Sequence, residues 1–469
     1  MATAPGTERA EPQSELKRSI TGRLLFFYVL GDVLGSGIYV LIGAVAGAVG
    51  GAFWTAFAVG VAIAAITGLA YAELVTKYPQ AAGASLYVNR AFRSPTLTFF
   101  VTISMLAALL AAGGALASGF ARYFGSVWDL PPALLVTLVF VALLTIVNFI
   151  GITESVVINL VMTIIEVTGL IIVMIIGVVH VARGDADFGV LTEFSTEGNP
   201  IWAIVAGVAL AFFAMTGFEN AANVAEETID PARTFPRALI GGMVAAGVIY
   251  VLVAISAALV VPVATLAEAD AALLEVVRAD VLPISVTLFS IIAMVAITNT
   301  TLVTLVAQSR ILYGMGRVDV VPRVFARVHR TRRSPWVALL FSAAVIWALL
   351  IIGDLINRAS GQDVVDRLAT VTVVFLVLIY ALVIVSALKL RGTDEREDTY
   401  RANTPLLYVG LLGNLVLLVY IVTDDPESLL WVGGLLAVGL VLFLVQYFTG
   451  GRSGTRGIGQ DPVTPAKEI

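Results

Sequence analysis

Apolar runs of about 20 residues, long enough to cross a bilayer as helices, recur along the whole chain with short polar segments between them. They fall at residues 24–49, 52–72, 97–121, 132–150, 155–179, 201–223, 238–261, 282–313, 336–352, 368–388, 405–422 and 429–447. The pattern predicts an all-α integral membrane protein of about 12 transmembrane helices. Two of the runs are not uniformly apolar. The first carries Gly31-Asp32-Val33-Leu34-Gly35-Ser36-Gly37-Ile38-Tyr39, an acid and three glycines in the body of a span. The sixth carries Ala211-Phe212-Phe213-Ala214-Met215-Thr216-Gly217-Phe218-Glu219-Asn220. Glycine loses more backbone entropy in a helix than any other residue, so each stretch is a place for the helix to open. Opened backbone in hydrocarbon is tolerated only where its N–H and C=O groups face protein or a watered cavity. A solute site is such a cavity.

The two interruptions correspond in position. Gly37 and Gly217 lie 180 residues apart, and each opens a block of five helices, one to five and six to ten. Five is odd, so the second block begins on the opposite side of the membrane, as an inverted repeat requires. Glycine-interrupted helices at matching positions of two such halves point to a transport site near the bilayer midplane. Helix packing is the competing reading, because Gly31-xxx-Gly35 and Gly43-xxx-Gly47 have the small-xxx-small spacing of close membrane helices. The partner in the sixth span and the adjacent Asp32 favour the opened site. In that reading the N–H groups of Ser36, Gly37 and Ile38 form the positive end of a half-helix, suited to a carboxylate. The freed carbonyls of both broken helices accept from an ammonium, and the two features together describe an α-amino acid backbone.

Three acids lie within spans: Asp32, Glu166 and Glu219. A buried acid costs a few kcal/mol at a helix centre, relieved by a partner or by protonation. Either relief is useful to a proton-coupled carrier. Asp32 is about 13 Å from the start of its helix, and Glu166 is about as deep in the fifth span. Glu219 is nearer an end, and its case rests on following Gly217. The alternative for each is a structural acid held by neighbouring Thr or Asn. Phe212 and Phe213 are apolar filling or, one turn before a break, a cover over bound solute, and Met215 shares that segment. In the eighth span Thr298-Asn299-Thr300-Thr301 either bonds to its own helix or places Thr298 and Thr301 as oxygen ligands of a sodium ion.

Composition narrows the class. The chain is 59% hydrophobic and 13% charged, with a mean hydropathy of +0.96, against about a quarter charged in soluble domains. It has no cysteine, which removes disulfides, thiolate metal sites and a disulfide-linked subunit. Its two histidines, His180 and His329, are read as loop residues. No metal or cofactor is expected, and an intramembrane enzyme lacks the nucleophile or histidine pair it would need. Of 28 lysines and arginines, all but Arg122, Arg183, Arg278, Arg358 and Arg367 fall on one side of the membrane. That bias puts both termini in the cytoplasm and supports an even number of helices. The basic stretch 310–333 is a topological signal that touches anionic lipid, not a nucleic-acid site. The expected organisation is a tail at 1–20 with no cleavable signal, one polytopic domain at 21–449, and a disordered Gly-, Ser- and Pro-rich tail at 450–469.

The motifs, in this order, resemble the amino acid-polyamine-organocation transporter superfamily, as a bacterial amino acid permease. They are Gly35-Ser36-Gly37-Ile38-Tyr39, then Tyr71-Ala72-Glu73-Leu74 through Tyr78-Pro79 to Gly83-Ala84-Ser85-Leu86-Tyr87-Val88. Gly217-Phe218-Glu219 follows, leading to Asp230-Pro231 and Phe235-Pro236, and then Gln308-Ser309-Arg310 with Pro322 and Pro335. The resemblance implies a LeuT-like five-plus-five inverted repeat, at about 22–180 and 199–390, with helices one and six discontinuous and two extra helices at about 404–449. It implies alternating access, with the substrate carboxylate at Ser36, Gly37 and Ile38 beside Gly35, and Gly217 at the second break. Phe213 stands where family members carry a gating aromatic, and Glu219 where several carry an acid linked to proton response. Glu166 departs from relatives with a lysine there, so a lysine-based coupling does not carry over. The expected function is transport of amino acids or related amines at the plasma membrane, proton-coupled uptake or exchange, by a monomer or homodimer. A non-transporting amino acid sensor is the remaining rival.

Overall fold

The first apolar run folds as two helices, α1 (Gly22–Leu34) and α2 (Gly37–Val49), bent by 42° at Gly35-Ser36. The computed structural model describes residues 20–79, 83–128, 130–150, 156–195, 199–317, 320–332, 334–361, 363–393 and 399–449. The readings made for the two tails, including the disorder of 450–469, lie outside those residues, apart from residue 20. After a short 3-10 turn the first half continues as α3 (Trp54–Lys77), α4 (Gly83–Phe92), α5 (Pro95–Gly125), α6 (Ala133–Ile150) and α7 (Val156–Arg183).

The sixth run is interrupted too. Its first part, α8 (Pro200–Ala214), ends at Met215 and resumes after Gly217 as a 3-10 stretch, Phe218–Glu227. Next come α9 (Pro231–Val260), two short helices α10 (Val263–Glu268) and α11 (Ala272–Arg278), then α12 (Val286–Arg317) and α13 (Trp336–Ser360). The chain closes with α14 (Val364–Lys389), α15 (Thr404–Asp424) and α16 (Ser428–Thr449). Among the described residues ten helices are long and apolar enough to cross a membrane, the bent α1–α2 pair makes an eleventh span, and α8 is a shorter apolar helix. The expected all-α architecture is what the chain adopts. One local reading is corrected: His180 is not in a loop but in the last turns of α7, whose helix runs past the apolar stretch to Arg183.

Packing divides the bundle. α3 runs against α9, α1 against α9, and α2 against α8, so the two broken spans and the helix after each form one group. α5 packs against α12 and α14, with α6 and α13 outside them. α10 lies over α2 and covers that end of the group.

At the opposite end, an ion pair ties α3 to the end of α14. The Arg391 guanidinium makes two bonds to the Glu73 carboxylate, at 2.9 and 2.8 Å, and the Ala402 N–H gives a third at 2.9 Å. Both side chains are largely buried, and Lys77 caps the Leu390 carbonyl beside them. A buried charge that loses its partner is far more costly than one replaced together with it. Glu73→Ala is therefore expected to destabilise the protein by about 3–5 kcal/mol, while Glu73→Met with Arg391→Met recovers most of the loss. Unfolding temperatures of the purified variants check this.

Candidate functional site

The two breaks touch. Gly217 has φ +113°, a conformation side chains avoid, and a Cβ there would stand 2.6 Å from the Asp32 carbonyl oxygen and 3.3 Å from its Cγ. A Cβ on Gly37 would stand 2.5 Å from the Cα of Ala214. Only glycine permits both approaches. Residues 185 and 177 positions apart are thereby in contact.

The opened backbone groups have specific partners. Tyr250 of α9 points its hydroxyl at the carbonyls of Val33, Leu34 and Ala214, the last two at 2.7 and 2.9 Å. One proton thus serves carbonyls from both broken spans. The Ser36 N–H donates to Thr300 Oγ1 of α12 at 3.2 Å. Glu219 accepts from the Gly217 N–H at 2.9 Å and from the Tyr380 hydroxyl at 2.7 Å, tying the second break to α14. Gly37 and Ile38 begin α2, where first-turn N–H groups have no intrahelical acceptor. Of the three N–H groups expected to face a carboxylate, Ser36 is therefore taken by Thr300.

The acids are not alike. Glu166 of α7 is fully buried, and neither carboxyl oxygen has a hydrogen-bond partner among the described residues. Asp32 Oδ2, Ser36 Oγ and Thr163 Oγ1 share that condition. Thr163 lies against Gly31, one helical turn from Glu166 on the same face of α7. Tyr39 donates its hydroxyl to the Glu166 backbone carbonyl at 2.7 Å, which holds α7 against α2. Asp32 is within electrostatic reach of both Glu166 and Glu219. Five oxygen atoms without partners therefore belong to the first break and the α7 face beside it.

Other expected residues are placed differently. Thr298 and Thr301 donate to Met294 and Ile297 of their own helix, both at 2.7 Å, and it is Thr300 between them that reaches the break. Phe213 is buried in the last turn of α8, and Met215 directs its side chain toward Gly60 of α3. Among the described residues no cluster of His, Cys, Asp or Glu could hold a metal ion. A cavity of about 610 Å³ lies away from the breaks, between the ends of α5, α11 and α13, where Arg122 pairs with Asp363.

A bundle with two touching breaks can be compared with known proteins. The amino acid permease profile matches residues 22–445, nearly the whole chain. The chain belongs to the amino acid permease family. The permease is thus a member of the amino acid-polyamine-organocation superfamily, and its relatives are transporters and not enzymes. It is 28% identical over 354 residues to cationic amino acid transporter 9, chloroplastic, of Arabidopsis thaliana, a match covering 70% of this chain but only 61% of the plant protein. It is 26% identical over 349 residues to a branched-chain amino acid permease of Bacillus subtilis, covering 70% of this chain and 73% of that one. An uncharacterised transporter of Mycobacterium tuberculosis is 29% identical over 390 residues, covering 83% and 82%. Among solved structures, a mutant manganese transporter of Eremococcus coleocola superposes with a TM-score of 0.61 at 13% identity, covering 95% of this chain and 97% of that one. That likeness is one of fold: the permease has the LeuT-like arrangement with discontinuous first and sixth spans.

Tyr250, Thr163 and Tyr380 at the site of the permease escaped the sequence reading, and Thr300 entered it only as part of the eighth-span polar cluster. Thr163 had a signal, three residues before Glu166 on one helical face. Tyr250 and Tyr380 are single tyrosines in apolar runs, and their targets are set by tertiary contact alone. The hydrogen bonds separate the two glutamates experimentally. Glu219→Ala strands the Gly217 N–H and the Tyr380 hydroxyl and is expected to cost about 1–3 kcal/mol of stability. Glu166→Gln breaks no hydrogen bond and should unfold at or above the native temperature. Thermal unfolding of the two variants gives the comparison, and equal losses would contradict it.

Proposed function

We propose that the permease carries amino acids or related amines across the plasma membrane by alternating access, as proton-coupled uptake. The observation that carries this reading is the contact between the two breaks, beside which side-chain oxygens of Asp32, Ser36, Thr163 and Glu166 have no hydrogen-bond partner among the described residues. In this reading the substrate carboxylate sits at the N–H groups of Gly37 and Ile38, beside Gly35 and Ser36. Its ammonium takes over the carbonyls of Val33, Leu34 and Ala214 that Tyr250 holds in its absence. Gly217 and Met215 shape the second break, and Phe213 closes over the solute. Similarity to proteins named as cationic and branched-chain amino acid transporters supports the substrate class.

Among Asp32, Glu166 and Glu219, Glu166 is the best coupling group. Glu219 already holds two donors, whereas Glu166 has none to surrender when its proton comes or goes. The moving body is α1, α2, α3, α8 and α9, the group that packs together around the breaks. Protonation and solute binding bias its two positions. Thr298 and Thr301 enter only if sodium replaces the proton. Both termini are assigned to the cytoplasm by the sorting of basic residues.

Purified permease in proteoliposomes should accumulate labelled amino acid or amine when the outside is acidic, and lose that dependence in Glu166→Gln. Tyr250→Phe removes the hydroxyl that competes for the carbonyls of Val33, Leu34 and Ala214 and should tighten solute binding while the pH dependence persists. Absence of flux for every amino acid and amine under any gradient overturns the proposal, and flux only into substrate-loaded vesicles replaces uptake by exchange.

A further inference from the structure

A second cavity lies far from the breaks, between the first turns of α1 and α9. It has a volume of about 520 Å³, and its walls include Arg23, Phe26 and Phe27 from α1 with Arg233, Thr234 and Arg237 from α9. The three arginines are exposed, and among the described residues none of their guanidinium groups has an ion pair or hydrogen bond. One acid, Asp230, stands against them. Arg233 and Arg237 are one turn apart on α9, and Arg23 and Phe27 are one turn apart on α1, so each helix presents one face to the cavity.

An apolar track leads away from it. Beyond Arg237, α9 turns Val244, Val248 and Leu252 outward, at 49%, 54% and 46% exposure. The Phe26 ring sits over Gly241 at the start of this stripe, 3.5 Å from where a Cβ would stand, and Phe27 is 45% exposed beside it. From Gly241 to Leu252 the helix rises about 16 Å, close to half of a hydrocarbon layer of about 30 Å. A basic cavity at one end of an apolar stripe one leaflet deep has the shape of a phospholipid. A free anion would use the arginines and leave the stripe without a purpose.

We propose that this cavity binds the phosphate-bearing headgroup of an anionic phospholipid from the leaflet on the side where the chain begins, with the acyl chains along Val244, Val248 and Leu252. Guanidinium forks match phosphate oxygens in pairs, and arginine is weakly hydrated enough to hold them at a membrane surface. The bound lipid bridges α1 to α9. α1 is the half-helix that ends at the first break, and α9 carries Tyr250, so the headgroup joins the two elements that hold the break together.

The test uses the purified full chain in detergent with three probes: short-chain phosphatidylglycerol, short-chain phosphatidylcholine and inorganic phosphate. Phosphatidylglycerol should raise the unfolding temperature and appear as a bound adduct in native mass spectra, whereas the other two should not. Replacing Arg23, Arg233 and Arg237 together by Gln should weaken that binding roughly a hundredfold, with no change in unfolding temperature when lipid is absent. Replacing all three by Lys keeps the charge without the fork and should leave binding between those of the native protein and the Gln variant, which preserves the test if the Gln variant misfolds. Equal binding of phosphatidylcholine, an equal shift from phosphate alone, or full phosphatidylglycerol binding by a folded Gln variant each overturns the proposal.

Discussion

A helix that opens inside hydrocarbon must find new partners for the backbone groups it frees, and the architecture around the two breaks answers that requirement. An unsatisfied N–H or C=O at that depth costs several kcal/mol. Four side chains meet most of the demand, three of them from α9, α12 and α14. Tyr250 of α9 takes carbonyls from both broken spans, Thr300 of α12 takes the Ser36 N–H, and Glu219 returns to the Gly217 N–H while Tyr380 of α14 holds it from outside. The ties made by Tyr250, Thr300 and Tyr380 cross between elements, so the breaks position the helices around them as much as those helices position the breaks.

The same accounting separates groups that hold the fold from groups left for chemistry. Glu73 and Glu219 are buried and hydrogen-bonded, Glu73 through both oxygens and Glu219 through Oε2, one with Arg391 and the other at the second break. Glu166 is as deeply buried with no partner among the described residues for either carboxyl oxygen, and Asp32, Ser36 and Thr163 each leave a side-chain oxygen unused nearby. Buried polar groups in native proteins nearly always have partners, so a cluster of exceptions calls for a visiting one. Tyr250 adds a further feature. A single hydroxyl proton cannot fully satisfy three carbonyls, whereas an ammonium brings three donors.

Much of the frame was legible in the chain. Apolar period alone counted the spans, because a helix crossing a bilayer carries its own length requirement, and two glycine interruptions in matching positions marked where the spans open. Glu73 was legible only as a motif residue, since its partner Arg391 follows in a polar stretch whose return to α3 no local pattern encodes. The eighth span shows the limit well. Its polar cluster was noticed, yet Thr298 and Thr301 turn to their own helix while Thr300 reaches the break, a difference of helical phase that depends on how α12 is rotated against its neighbours. Tyr250 and Tyr380 carried no signal, as an isolated tyrosine in an apolar run looks the same whether it packs or bonds.

The central claim is that the two breaks form one binding site. Hydrogen–deuterium exchange of the purified chain, with and without a transported amino acid or amine, tests it most directly. Residues 35–38 and 214–218 should slow together and by similar factors when solute is bound, since one ligand engages both. Protection confined to the cavity beside Arg122, or to one break with the other unchanged, would contradict it.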